Sequence, residues 1–202
     1  PHKVRREDGE VTVSVPDDRA DQIDAAPGTD VRESIKVQAL LAQIGMQMGF
    51  RIWIPPPDRA AVLEQVPALE SALLATLPLN YDNTTLRTIE NIDVLWLKGR
   101  SMARAFEVEH TTAIYSGILR MADLLALQPN MDIRLHIAAP EARKQKVFDE
   151  IRRPVFSLLE GKALADRCTF LSYDSIRELA GVKHLEHLSD SVLEEYEEEA
   201  GA

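Results

Sequence analysis

Two glutamates, Glu107 and Glu109, stand two positions apart in AFEVEHTT, residues 105–112, a stretch otherwise suited to a buried strand. Side chains alternate across a strand, so both carboxylates face the same way. A third carboxylate, Asp93, lies upstream in NIDVLWL, and KGRS separates the two strand-like segments as a turn. A hairpin with an odd loop centred on Arg100 sets position 93 opposite 107, and lays Ile92, Val94 and Trp96 against Val108, Phe106 and Arg104. An even loop sets Asp93 against Phe106 and sends the acids to opposite faces. Such a slip turns every side chain over and buries an unpaired carboxylate against aromatic surface, at a cost of several kcal/mol. The odd register is therefore expected. It gathers Asp93, Glu107 and Glu109 beside the small Ala103 and Ala105, where three carboxylates repel one another unless protons or a cation intervene. A hard divalent ion with oxygen ligands meets that need. The competing reading is a solvated sheet face with Glu at alternate positions.

The remaining reactive side chains carry weaker signals. His110 alternates onto the face of Phe106 and Val108 and reads as a packing or capping residue, and His136 sits in the apolar DIRLHIA as a core residue. His184 and His187 are three apart in KHLEHLSD, with no third ligand marked by spacing. Arg120 shares a helical face with Ser116 and Asp123, which offers either an ion pair with Asp123 or a contact to phosphate. Arg143, Lys144, Lys146, Arg152 and Arg153 form a basic cluster that is either a solvated helix face or a surface for a nucleic-acid backbone. There is no glycine-rich phosphate loop, no serine–histidine arrangement and no zinc spacing.

Several elements must position the acids. Between residues 32 and 48, Ile35, Ala39, Ala42 and Met46 recur at helical spacing, with Asp30 as the expected N-cap and Gly49 as the stop. FRIWI follows as a strand closed by Pro55, Pro56 and Pro57. AAVLEQVPALESALLATL reads as helix with a break near Pro67, and DNTT as a turn. After the hairpin, TTAIYSGILRMADLLAL reads as a helix capped by Thr111 or Thr112, with Ile114, Ile118, Met121 and Leu125 on its buried face. DIRLHIA then reads as a strand buried on both sides, reached by a crossover long enough for parallel pairing. The helix PEARKQKVFDEIRR, the strand CTFLSY and the helix DSIRELA complete the series.

The chain has 202 residues, 45% of them hydrophobic, which suffices for one domain with its own core. It lacks a hydrophobic run long enough to span a bilayer and has no signal-peptide pattern, so a soluble, cytoplasmic protein with no membrane partner is expected. Its single cysteine, Cys168, cannot form an internal disulfide and reads as a small buried hydrophobe. The net charge of −10 is uneven. Residues 31–180 carry 18 basic and 18 acidic side chains, so the deficit lies in the two ends and DNA binding is not excluded. Residues 1–30 read as a polar linker or extension within a longer chain, residues 31–180 as the working domain and residues 181–202 as an acidic, frayed tail.

The order helix, strand, hairpin, helix, parallel strand, with Asp93 in IDVLW and Glu107 and Glu109 in FEVEHTT, resembles the PD-(D/E)xK, or restriction-endonuclease-like, nuclease superfamily over roughly residues 32–140. The resemblance implies an α/β fold of order α-β-β-β-α-β, a mixed central sheet flanked by helices, here with extra C-terminal helices and a strand. It implies Asp93 and Glu107 as metal ligands together with the backbone carbonyl of Val108, Mg²⁺ or Mn²⁺ as cofactor, and DNA as substrate. Glu109 stands where most members carry lysine. There it would orient or deprotonate the attacking water, but it cannot stabilise anionic charge unaided. Glu33, in the first helix, matches an acidic residue that several members place there. The implied activity is metal-dependent hydrolysis of DNA phosphodiesters, in a genome-defence or repair protein with further domains and, as in many members, a homodimer. The alternatives are a catalytically inactive nuclease fold serving as a DNA-binding or protein-interaction module, and an interaction module whose carboxylate face is merely solvated.

Overall fold

The computed structural model describes residues 2–6, 9–13, 27–109, 114–157 and 163–200. Strands β1 (His2–Arg6) and β2 (Gly9–Val13) form an antiparallel sheet of their own. Helix α1 runs Pro27–Gln47. Asp30 therefore lies inside its first turn and does not cap it, because Pro27, with φ preset and no N–H to satisfy, makes the better first residue. Gly49, at φ +83°, stops the helix as expected.

Strand β3 (Arg51–Trp53) leads to α2 (Arg59–Gln65) and a short 3-10 helix over Pro67–Ser71. The helix expected to continue beyond Pro67 ends at Ser71, because the chain there pairs with β3 instead. Ile52 N–H donates to Ala72 O at 3.0 Å, and Leu74 N–H donates to Ile52 O at 2.8 Å. DNTT is also not a turn. Asp82 is the N-cap of helix α3 (Asn83–Glu90), its carboxylate accepting from the N–H groups of Thr84 and Thr85. An Asp ahead of two threonines fits a cap as well as a turn, and Ile89, buried at the far end of the helix, decides between them.

The central sheet has the order β3-β4-β5-β6-β7-β8. Strands β4 (Val94–Lys98) and β5 (Ser101–Val108) form the hairpin. Its turn holds only Gly99 and Arg100, an even loop, with Gly99 at φ +62° as such a tight turn requires. The pairing Lys98↔Ser101 and Leu97↔Met102 is then shifted by a bulge, after which Trp96 faces Arg104 and Val94 faces Phe106. The extra residue, Ala103, restores the odd register, so position 93 comes opposite 107 by a different route from the one expected. Helix α4 (Ile114–Leu127) carries the chain over to β6 (Arg134–Ala139), parallel to β5. Thr111, Thr112 and the side chain of Ile114 lie outside the described residues, as does His110, while Ile118, Met121 and Leu125 are buried as expected. The remaining elements are α5 (Lys144–Ile151), α6 (Pro154–Ser157), β7 (Cys168–Ser172), parallel to β6, and α7 (Tyr173–Ala180). A two-residue strand, β8 (Glu198–Glu199), is antiparallel to β7.

Each sheet face has its own core. Val94, Trp96, Phe106, Val108, Ala138 and Leu171 pack under α1 and α7, where the Trp96 indole N–H donates to Leu41 O at 3.0 Å. Leu95, Leu97, Ala105, Ile137 and Phe170 pack under α4 and α5. The acidic C-terminal segment does not fray. Leu185, Leu193 and Ala200 are buried, and its acids meet cations: Asp190 and Glu197 lie 2.7 and 3.6 Å from Arg104, itself only 2% exposed. Arg104 also donates to His136 Nε2 (3.2 Å), and His136 Nδ1 faces Thr169 Oγ1 (2.7 Å). His136 is thus a hydrogen-bonded core residue, held neutral because burial pushes its pKa far down. The helix–strand–hairpin–helix–strand order and the mixed sheet flanked by helices make this a restriction-endonuclease-like α/β core with C-terminal additions.

Candidate metal centre

Ile92 packs into the core directly ahead of β4, leaving Asp93 at the strand's mouth, beside the C-terminal end of β5. Val108 N–H donates to Asp93 Oδ2 at 2.8 Å. In an extended strand the N–H and C=O of one residue point to the same edge, so the Val108 carbonyl faces Asp93 as well, while its side chain lies in the α1-side core. Glu107 and Glu109 project from β5 toward α4, and both are almost sealed from solvent, at 0% and 5% exposure.

Each of these glutamates has a distinct partner on α4. Arg120 grips Glu107 with both arms of its fork, Nε to Oε1 at 2.8 Å and Nη2 to Oε2 at 2.5 Å. Glu109 Oε1 accepts the N–H of Gly117, in the first turn of α4, at 3.1 Å. A Cβ at residue 117 would stand 2.2 Å from that oxygen, so any larger residue here must push the Glu109 carboxylate aside. The Glu109 backbone is held on both sides, its N–H donating to Ala138 O (2.8 Å) and its carbonyl accepting from the Tyr173 hydroxyl (3.0 Å).

Burial dominates the electrostatics. It raises the Asp93 carboxyl to about 6 and the Glu109 carboxyl to about 7, the latter helped by repulsion from Asp93. Glu107 is also pushed well above the carboxylate range by burial, with Arg120 opposing, and the guanidinium is in turn held charged by Glu107. Three carboxylates against one close guanidinium leave an excess of two negative charges when all are ionised. Arg143, ahead of α5, adds a weaker positive field at Glu109, and Asp58 adds a negative one at Asp93.

The donor set fits a hard divalent ion: oxygen ligands, a charge deficit of two, and a partly exposed Asp93 at the entrance. Gln38 Oε1 on α1 is buried without a hydrogen-bond partner, and the same side chain donates to Asp58 at 3.4 Å, so polar capacity remains unused on that side. The carboxylates are nevertheless not drawn to a common point. Among the described residues, only His184, Glu186 and His187 bring three ligand atoms within 4.8 Å of one another, and all three are exposed. Glu186 thus supplies the third donor that spacing did not mark.

The other expected site residues are spread out. Glu33 pairs with Arg177 of α7 and, at 3.8 Å, with Lys36. Arg120 joins Glu107 rather than Asp123. Lys144 is engaged by Glu141 (2.5 Å) and Glu198 (3.1 Å), Arg152 lies over the Phe148 ring, and Arg153 pairs with Glu150 (2.7 Å) and lies over Tyr115. Lys146 is half-buried on α5. Sequence reasoning missed Gly117, Tyr173, Asp58 and Gln38. Only Gly117 left a signal, as a glycine inside an otherwise strong helix pattern.

Fold and site together define a restriction-endonuclease-like chain with a buried carboxylate cluster at the mouth of its hairpin. A family model described as the Type II restriction enzyme NmeDI C-terminal domain matches residues 14–200, and the chain belongs to that family. It is 32% identical over 159 residues to the Type II restriction enzyme NmeDI of Neisseria meningitidis serogroup C, covering 73% of this chain and 42% of that protein. The chain thus spans less than half the length of that relative. No solved structure matches it. Among the described residues, no helix is long and apolar enough to cross a membrane.

Proposed function

We propose that this chain is the nuclease domain of a restriction enzyme, a PD-(D/E)xK member with Glu-x-Glu in place of Glu-x-Lys, hydrolysing DNA phosphodiesters with Mg²⁺ or Mn²⁺. The observation that carries the reading is the placement of Asp93, Glu107 and Glu109 at one strand mouth, with two negative charges in excess of Arg120 when all three are ionised. The family relative, a Type II restriction enzyme by name, supports DNA as the substrate.

Asp93, Glu107 and the Val108 carbonyl would hold the ion, which lowers the pKa of a bound water and offsets charge on the scissile phosphate. Glu109 would orient that water or take its proton. Its backbone clamp between Ala138 and Tyr173 keeps the carboxylate aimed while the proton moves. Arg120, and the cluster of Arg143, Lys144, Lys146, Arg152 and Arg153, would face the DNA backbone, with Arg143 nearest the acids in its electrostatic reach. Glu33 acts at a distance, by pairing with Arg177 and so joining α1 to α7. As in many members of the superfamily, a homodimer would bring two such sites to the two strands of a duplex, inside a longer protein working on cytoplasmic DNA.

Two observations favour a second reading, a nuclease fold retained for binding DNA or protein without catalysis: both oxygens of Glu107 are occupied by Arg120, and Glu109 replaces lysine. A plasmid-nicking assay in Mn²⁺ separates the two. Cleavage by wild type that is lost in Glu107→Ala supports the enzyme, whereas no cleavage of single- or double-stranded substrate by wild type rejects it.

A further inference from the structure

We infer that Arg120 is a built-in counter-cation that competes with the divalent ion for Glu107, so that metal binding must release its guanidinium toward the anionic substrate. This inference rests on the metal-site reading above.

Glu107 is completely buried on a sheet face, where a lone ionised carboxylate is costly. Arg120 satisfies it by occupying both oxygens. In that state the carboxylates of Asp93, Glu107 and Glu109 do not gather at a single point. The plug is also removable. Its side chain is 31% exposed, so it can withdraw from Glu107 toward solvent without opening either core. Asp123, exposed and three residues along the same helix, offers a second carboxylate to receive it, as does a DNA phosphate. The guanidinium fork suits each of these anions in the same bidentate way. Two arrangements of one side chain follow: on Glu107 without the ion, or turned outward with Glu107 given to the ion.

Reciprocity then links the two ligands. Whatever the ion spends on displacing Arg120 is recovered when the freed guanidinium meets phosphate, so metal raises DNA affinity and DNA raises metal affinity. Specific residues thus account for a Glu107 that stays paired until both ligands are present.

The test is calorimetric titration of Mn²⁺ into the DNA-free protein, with wild type, Arg120→Met and Arg120→Lys, each checked for folding by its melting curve. Arg120→Met should bind Mn²⁺ about tenfold tighter than wild type or more, the equivalent of one charge-assisted contact no longer competed for. Arg120→Lys, which keeps the charge but not the fork, should fall between them, and it carries the test if the methionine variant does not fold. In a second arm, DNA binding is measured with and without Ca²⁺, using an oligonucleotide duplex. The gain in affinity on adding Ca²⁺ should be several-fold larger for wild type than for Arg120→Met. Wild type that binds Mn²⁺ while the variants bind equally or more weakly overturns the inference alone, since Arg120 would then be scaffolding for Glu107. No Mn²⁺ binding by any of the three proteins overturns the metal site and the inference together.

Discussion

The backbone N–H of Val108 donates to Oδ2 of Asp93 at 2.8 Å, fastening the mouth of β4 to the end of β5. This bond is available only in the register that puts position 93 opposite 107, so the same contact that terminates the hairpin also sets the distance between its acids. Asp93→Asn keeps an oxygen acceptor for Val108 while removing the charge. We expect stability at pH 7.5 equal to or above wild type, because burial disfavours the ionised carboxylate, and Mn²⁺ affinity lower by about a hundredfold or more. Wild-type Mn²⁺ affinity in this variant would remove Asp93 from the site.

Gly117→Ala should destabilise the protein although alanine is the better helix former. The propensity gain is at most about 1 kcal/mol, whereas the added methyl would stand 2.2 Å from Glu109 Oε1 and 3.1 Å from Glu107 Cβ. Displacing buried carboxylates in a packed site outweighs it, for a net loss of about 1–3 kcal/mol. Urea denaturation measures the net, and an unchanged midpoint would show that Glu109 can move aside freely.

Stability should depend on pH through Glu109. Its folded carboxyl titrates near 7, above the ordinary 4.5, so between those values the native state holds a proton that the unfolded chain has released. Stability from this group is full below about 4.5 and is lost as pH rises through about 7, by on the order of 3 kcal/mol. Asp93 contributes with the same sign over a lower window, from its ordinary 3.8 to about 6. His136 has the opposite sign: burial lowers its pKa, so its neutral form favours folding more as pH rises toward its ordinary value of 6.5. The comparison must therefore be by difference. Relative to Glu109→Gln, metal-free wild type should lose stability between pH 5 and pH 7.5 in urea titrations, and parallel curves would refute the assignment.

Arg104 should matter for a different reason from the acids. Buried at 2% exposure, it serves Asp190, Glu197 and His136 at once. Arg104→Ala takes from Asp190 its buried partner and leaves Glu197 only the half-exposed Arg134 at 3.7 Å, and should cost about 3 kcal/mol. Hydrogen exchange should localise the loss to residues 185–200, the segment that the arginine draws onto the sheet. Uniform deprotection of the whole chain would show instead that this segment folds as one unit with the core.

What was legible in advance rested on short-range periodicity. Alternation along AFEVEH puts Glu107 and Glu109 on one face whatever the rest of the chain does, and the 3.6-residue recurrence of Ile118, Met121 and Leu125 marks the helix that covers them. The penalty for burying an acid against Trp96 and Phe106 also singled out the register, although the route to it differed: a two-residue turn plus a bulge at Ala103 stands in for the odd loop. DNTT was misread because a capping Asp and a turn Asp have the same local chemistry, and only the burial of Ile89 tells them apart.

The sequence by itself determined which side chains share a face and which segments alternate, because those follow from backbone geometry within a few residues. Tertiary structure alone decided who answers the buried charges. Arg120 could as well have paired with Asp123 one turn along its own helix. It reaches Glu107 because the crossover lays α4 across the end of β5, where a sealed carboxylate gains more from a fork of two hydrogen bonds than an exposed one does. Likewise the acidic C-terminal run looked like a solvated tail, and it docks because Arg104, some ninety residues earlier, lies buried on the sheet with its charge unmet by any neighbour in sequence.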